Sequence, residues 1–251
     1  MDLIASLALQ YEWGVDEFLE DAAQDRRAPA APPPVPAPAR TAPRVAPVSG
    51  GEGAGIAASC GSLAALEAAL KKFTGCALRD TATQLVFADG PEDAPLLLVG
   101  EAPGAEEDRG GRPFIGPAGQ LLDRMLASIG QPRAGVRIIN TVPWRPPGNR
   151  TPTDSEIAAC LPFLHRHIAL VRPRALLLLG AVAAKALLPE PARNAGIRRL
   201  RGQWVALKIP GLDTPVPALP SYHPAYLLRM PSAKSESWRD LIALRERLES
   251  P

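Results

Sequence analysis

The chain has only three cysteines in 251 residues, Cys60, Cys76 and Cys160, and only three histidines, His165, His167 and His223. So few thiols, scattered in sequence, cannot form the disulfide framework of a small secreted domain. They fit a reducing cytoplasm, in which free Cys is buried as a small hydrophobe. Long apolar runs are also missing. None approaches the roughly 20 residues that a membrane-spanning helix needs, and residues 1–30 lack the basic-then-apolar pattern of a secretory signal. No Gly-rich loop ends in the Lys-Ser or Lys-Thr of a nucleotide-phosphate cradle. Charge of one sign is lacking too, the net value being +2. It is unevenly spread: residues 1–51 hold 7 acidic and 4 basic side chains, and residues 52–251 hold 19 and 24, giving −3 and +5. The larger part is therefore mildly basic, which permits nucleic-acid binding without requiring it.

What the chain does have is a hydrophobic content of 46%, enough for one full domain and an appendage. Its most informative stretch is residues 100–119, GEAPGAEEDRGGRPFIGPAG. The apolar run Pro95-Leu96-Leu97-Leu98-Val99 before it reads as a buried parallel strand, and apolar residues at helical spacing follow from Pro117 to Ile129. Strand, Gly-rich loop and helix mark the carboxyl end of a strand, where α/β proteins bind ligands. Glu101 then sits at the mouth of a pocket. Turn chemistry accounts for the Gly and Pro residues, but not for a Phe displayed beside carboxylates.

Two further strand ends have the same character. Arg137 to Asn140 runs into the Pro-rich basic loop TVPWRPPGNR, and Leu219 to His223 runs into Pro-Ala-Tyr-Leu-Leu-Arg. Together the ends offer a Glu, a Phe, an Asn and a His. An Asn amide matches a donor–acceptor pair on a base edge, and a Phe face stacks on a base, each worth roughly 1–3 kcal/mol. A His hydrogen-bonds or protonates a leaving oxyanion. That set suits a pyrimidine flipped out of DNA.

On three ordered motifs, GEAPGAEEDRGGRPFIGPAGQLLDRML, NTVPWRPPGNRTPTDSEIAACLPFL and YHPAYLLR, the chain from about Leu63 to Leu248 resembles the family 4 uracil-DNA glycosylases. The resemblance implies a three-layer α/β/α sandwich with a mostly parallel four-stranded central sheet. It implies an enzyme that hydrolyses the N-glycosidic bond of uracil in DNA and so initiates base excision repair, with no cofactor in the chemistry. Phe114 would stack on the uracil ring, Asn140 would read its O4 and N3 edge, and His223 would stabilise negative charge growing on O2. Glu101 and Glu107 are the candidate catalytic carboxylates. One would orient water or stabilise the cationic sugar, and the other would crowd C5 to exclude thymine. Better-known uracil glycosylases place an Asp one position after the strand-end polar residue; here that pocket position is Ala102.

Arg145, Asn149, Arg150 and Arg229 are expected to follow a DNA backbone, as are Arg198, Arg199 and Arg201. The tip Tyr226-Leu227-Leu228 is the expected wedge that fills the gap left by the flipped base. Asp108, Arg109 and Arg112 are expected to order the loop. Uracil-containing DNA is the implied partner, and a monomer the expected state. Two alternatives stand beside this reading: a base- and DNA-binding homologue that has lost turnover, and a glycosylase for another deaminated base such as hypoxanthine or xanthine.

In the family, four Cys hold an iron–sulfur cluster: a Cys-x-x-Cys pair, one Cys in the basic loop and one in the following helix. Here the first of the pair is Phe73 and the loop ligand is Trp144, so only Cys76 and Cys160 stay in register. A cubane cluster normally needs four protein thiolates. The cluster is therefore expected to be absent, with Phe73 and Trp144 filling its volume as apolar packing.

Three segments are expected. Residues 1–27 read as an amphipathic segment carrying Leu3, Ile4, Leu7, Trp13, Phe18 and Leu19, able to dock a protein partner. Residues 28–55 read as a Pro/Ala/Gly-rich linker, with 8 Pro in residues 28–49, and residues 56–251 as the catalytic domain. Within the domain, Leu63, Leu66 and Leu70 mark a helix, and Leu85 to Phe87 a short strand. Thr153 with Glu156 forms a capping box that opens a helix bent at Pro162; His165 and His167 on it are expected at the surface or as caps. A strand at Ala175 to Leu179, a helix at Ala181 to Leu188 and strands around a turn at Gly211 follow. The closing helix, Glu236 to Leu248, is expected to turn Trp238, Leu241, Leu244 and Leu248 inward.

Overall fold

The computed structural model describes residues 51–190 and 192–249. The amphipathic segment 1–27 and residues 28–50 of the expected linker lie outside them. Helix α1 (Gly51–Ser59) begins before the boundary expected at residue 55, so that boundary falls inside a helix.

The apolar runs form a five-stranded sheet: β1 (Leu96–Gly100), β2 (Val136–Asn140), β3 (Ala175–Leu179), β4 (Val205–Leu207) and β5 (Val216–Ser221). Their order is β2-β1-β3-β5-β4, with the first four parallel and β4 antiparallel to β5. The resemblance implies a mostly parallel sheet of four strands; the sheet is mostly parallel but has five. The fifth comes from the turn at Gly211, because a short connection can only return the chain antiparallel. β4 is a half-exposed edge of three residues.

Alternation along each strand divides the core in two. Leu97, Val99, Ile139, Leu176 and Leu178 pack with α1, α2 (Leu63–Lys72), α5 (Asp154–Val171) and α6 (Ala181–Leu187). Leu96, Leu98, Ile138, Leu177 and Leu179 pack with α4 (Pro117–Ala127) and α9 (Lys234–Glu249). The result is three layers, α/β/α. Three short helices, α3 (Ala105–Gly110), α7 (Ile197–Leu200) and α8 (Pro224–Arg229), sit in the connections.

The capping box of α5 forms as expected: the Thr153 amide donates to Glu156 Oε2 at 2.7 Å, and the Glu156 amide donates to Thr153 Oγ1 at 3.3 Å. The helix runs on through Pro162, where burial of Phe163, Leu164 and Ile168 offsets one lost N–H.

Three expectations need correction. Leu85 to Phe87 is not a strand; Val86 donates to the Pro143 carbonyl at 2.9 Å and Asp89 makes a single bridge with Ile138, which partly covers the free edge of β2. His167 is not at the surface. Its Nε2 accepts from buried Arg137 Nε at 3.2 Å, and burial, followed by the Arg137 charge, lowers its pKa to about 3. Trp238 is 45% exposed, because the inward stripe of α9 runs Ser237, Asp240, Leu241, Leu244. Two of those residues are polar, so hydrophobic periodicity misplaces the face by one residue. No helix among the described residues is long and apolar enough to cross a membrane.

Candidate active site

A cleft of about 470 Å³ opens at the carboxyl ends of β1, β2 and β5. Glu101, Phe114, Asn140 and His223 converge on it from three strand ends, as the sequence motifs require. Ala102 and Glu107 line it too, and Asn149, Arg150, Tyr226 and Arg229 form its rim.

Convergence depends on Gly100, the last residue of β1. A Cβ there would lie 2.4 Å from Asn140 Oδ1 and 2.6 Å from the Phe114 ring. Only a residue without a side chain lets the two meet over the strand end. Asn140 is 7% exposed, and its Oδ1 has no hydrogen-bond partner among the described residues. Such a group costs about 1–3 kcal/mol when left unmade, so it is an acceptor held ready for a donor. Phe114 is buried with φ +53°, a left-handed conformation that costs a non-glycine residue on the order of 1–3 kcal/mol. Its ring lies 5.5 Å from the His223 ring, tilted by 31°.

His223 is the N-cap of α8, and its Nδ1 accepts from the Ala225 amide at 3.1 Å. An accepting Nδ1 puts the proton of the neutral ring on Nε2. Burial above all, then the Arg229 charge, lowers its pKa to about 4, against a smaller opposing effect of Glu107. The ring is therefore a neutral donor at physiological pH. From pH 8 to 5, nitrogen and carbon NMR shifts of His223 should stay in the neutral, Nε2-protonated range; a midpoint near 6.5 would contradict this environment.

The two glutamates differ. Burial raises the pKa of Glu101, partly countered by a hydrogen bond with Thr151 and by the Arg229 charge. Glu107 instead accepts three backbone amides: Gly104 at 3.0 Å, Ile115 at 3.0 Å and Gly116 at 2.9 Å. Both of its oxygens are engaged in holding the loop. Asp108 orders the same loop, as expected, by accepting the Thr83 amide and hydroxyl at 2.9 and 2.7 Å. Arg109 and Arg112 do likewise through the Ala105 carbonyl and Asp89.

Beside the cleft, the basic loop turns at Gly148 and Asn149, both with positive φ. Arg145 Nε donates to Asn149 Oδ1 at 2.7 Å, and Arg150 pairs with Glu156 at 2.7 Å, so both cations are pre-positioned. Arg198 and Arg199 are exposed. Arg201 is not available to a phosphate. It is bound to Asp240 and to the Glu236 carbonyl, and Asp240 also accepts from Ser221 at 2.7 Å. This partly buried brace holds the end of β5 just before His223, and no hydrophobic pattern could have announced it. The expected wedge also changes: Leu227 is 1% exposed, packed against Leu121 and Tyr222, whereas Leu228 is 42% exposed.

The sheet-end cleft thus brings together an aromatic ring, a buried amide oxygen without a partner among the described residues, and a neutral imidazole. The model of the uracil DNA glycosylase superfamily matches residues 87–242, and the chain belongs to that superfamily. Its similar relatives include several type-4 enzymes. A type-4 uracil-DNA glycosylase of Pyrobaculum aerophilum is 40% identical over 173 residues, covering 68% of this chain and 87% of the relative. One of Thermotoga maritima is 40% identical over 64% of this chain and 80% of its own, and one of Archaeoglobus fulgidus is 38% identical over 68% and 85%.

The four positions that the resemblance assigns to cluster ligands lie together in one core. Phe73, Cys76, Trp144 and Cys160 are all buried there, and the Phe73 ring packs on Phe163 at 4.8 Å between centroids. Gly75 makes room for that ring, since a Cβ at residue 75 would lie 2.4 Å from it. The two thiols interact: a hydrogen bond between them lowers the Cys76 pKa, and the same bond with burial raises that of Cys160. Two thiols and two aromatic side chains do not fit a four-thiolate cluster.

Proposed function

We propose that this protein hydrolyses the N-glycosidic bond of uracil flipped out of DNA. The single observation that carries the reading is the buried Oδ1 of Asn140, without a partner among the described residues, on the cleft it shares with Phe114 and His223. Uracil N3–H would donate to Oδ1 and the Asn140 amide nitrogen would donate to O4, while the ring stacks on Phe114.

As the bond from C1′ to N1 lengthens, its electron pair moves onto the pyrimidine and charge grows on O2. The Nε2–H of neutral His223 meets that charge, which helps the transition state more than the bound substrate. The sugar becomes an oxocarbenium ion. Water adds to C1′ and loses its proton, and the uracil anion takes up a proton from solvent. Glu101 is the carboxylate assigned to the sugar cation and the incoming water. Glu107, whose two oxygens accept three backbone amides, has a different part: it sets the loop and narrows the pocket beside C5. Ala102 supplies no base, and a dissociative reaction asks for little.

Arg145, Asn149, Arg150 and Arg229 are assigned to the DNA backbone, and Leu228 with Tyr226 to the gap in the stack. The same proposal includes a monomeric, cytoplasmic protein whose residues 1–27 engage a protein partner. It also includes a protein without an iron–sulfur cluster, Phe73 and Trp144 doing the cluster's structural work. Anaerobically purified protein should be folded, colourless and iron-free; stoichiometric iron and sulfide would overturn that part.

The base assignment is tested by single-turnover excision from matched oligonucleotides carrying uracil, thymine, hypoxanthine or xanthine. Uracil should be released fastest and thymine not at all. Faster release of either purine would replace the substrate, and binding without release would leave a pocket that has lost turnover.

A further inference from the structure

The ring assigned to base stacking sits in a backbone conformation that Phe does not adopt unaided, so something must hold it there. Two peptide planes flank the Phe114 Cα, and their orientations define its φ and ψ. Arg133, in the turn before β2, grips both. Its Nη2 donates to the Pro113 carbonyl at 2.7 Å and its Nη1 to the Phe114 carbonyl at 2.9 Å. The remaining donors are anchored: Nε to Asp89 at 2.8 Å and Nη1 also to Asp123 at 3.0 Å. The far side of the second plane is held too, since the Ile115 amide donates to Glu107. Gly119 admits the arrangement, because a Cβ there would lie 1.8 Å from the Phe114 carbonyl oxygen.

We infer that Arg133 is the positioning residue that sets the angle of the Phe114 ring, and through it the fit of the flipped base. This rests on the reading of Phe114 as the stacking ring. A guanidinium is the only side chain with enough donors in a fixed fork to hold two carbonyls and two carboxylates at once. Lysine keeps the charge beside Asp89 but loses the fork.

The test is a double-mutant cycle of Arg133→Lys and Phe114→Ala, read by single-turnover excision of uracil with melting temperature recorded for each protein. Arg133→Lys should lower excision about 10- to 100-fold, the scale of an ångström-sized misplacement at a site. In the Phe114→Ala background it should add almost nothing, because there is no ring left to aim. Losses that multiply across the two backgrounds, or full excision by Arg133→Lys, would overturn the inference. Asp123→Asn covers the case in which Arg133→Lys does not fold. It frees one anchor of the fork, and should give a smaller loss that also vanishes in the Phe114→Ala background; a loss that persists there counts against positioning. Unchanged excision by Phe114→Ala would instead remove the stacking reading itself.

Discussion

His223→Ala is expected to lower single-turnover excision of uracil about 10²–10³-fold, the usual cost of deleting one preorganised donor to a developing oxyanion. The imidazole is well placed for this, half-buried on the cleft with Nδ1 committed to the Ala225 amide. DNA affinity should change little, because phosphate contacts dominate binding and the residues proposed to make them lie elsewhere. His223 also caps α8, and a lost cap typically costs about 1 kcal/mol. Melting temperature should therefore fall slightly. Excision, affinity and stability measured on one variant separate the roles: excision that is unimpaired, or lost only in step with folding, removes His223 from the mechanism.

Asn140→Asp should reverse part of the base reading. A carboxylate keeps the acceptor for N3–H but cannot donate to O4, and one bidentate match carries roughly 1–3 kcal/mol of discrimination. Uracil excision should fall by about 10- to 100-fold relative to wild type on that scale. The acceptor oxygens now match the N4 amino group of cytosine, so the ratio of uracil to cytosine release should shrink further. Wild-type selectivity in this variant would mean that Asn140 does not read the base.

Much of this site was legible in the sequence because its chemistry sits where strands end. Glu101, Asn140 and His223 each follow an apolar run, and the fold brings those runs side by side as β1, β2 and β5. Phe114 was legible because no turn needs an aromatic there. The parts that escaped are polar groups acting inside the core. Buried Arg137 with His167, and half-buried Arg201 with buried Asp240 and Ser221, join different elements. Hydrophobic periodicity carries no trace of them, although an Arg inside the buried strand Val136–Asn140 was a hint. Leu227 and Leu228 show the same limit: adjacent and identical, one is packed under Tyr222 and the other faces solvent. The resemblance made Glu107 one of two candidate carboxylates without saying which role was whose. Only three-dimensional geometry reveals that backbone amides occupy both of its oxygens.

The central claim is hydrolysis, and the products of one turnover in ¹⁸O-labelled water test it most directly. With a single-uracil oligonucleotide and enzyme in excess, mass spectrometry should find free uracil of ordinary mass and an abasic strand whose C1′ hydroxyl carries the label before it exchanges. A covalent protein–DNA adduct, or intact uracil DNA bound without release, would contradict it.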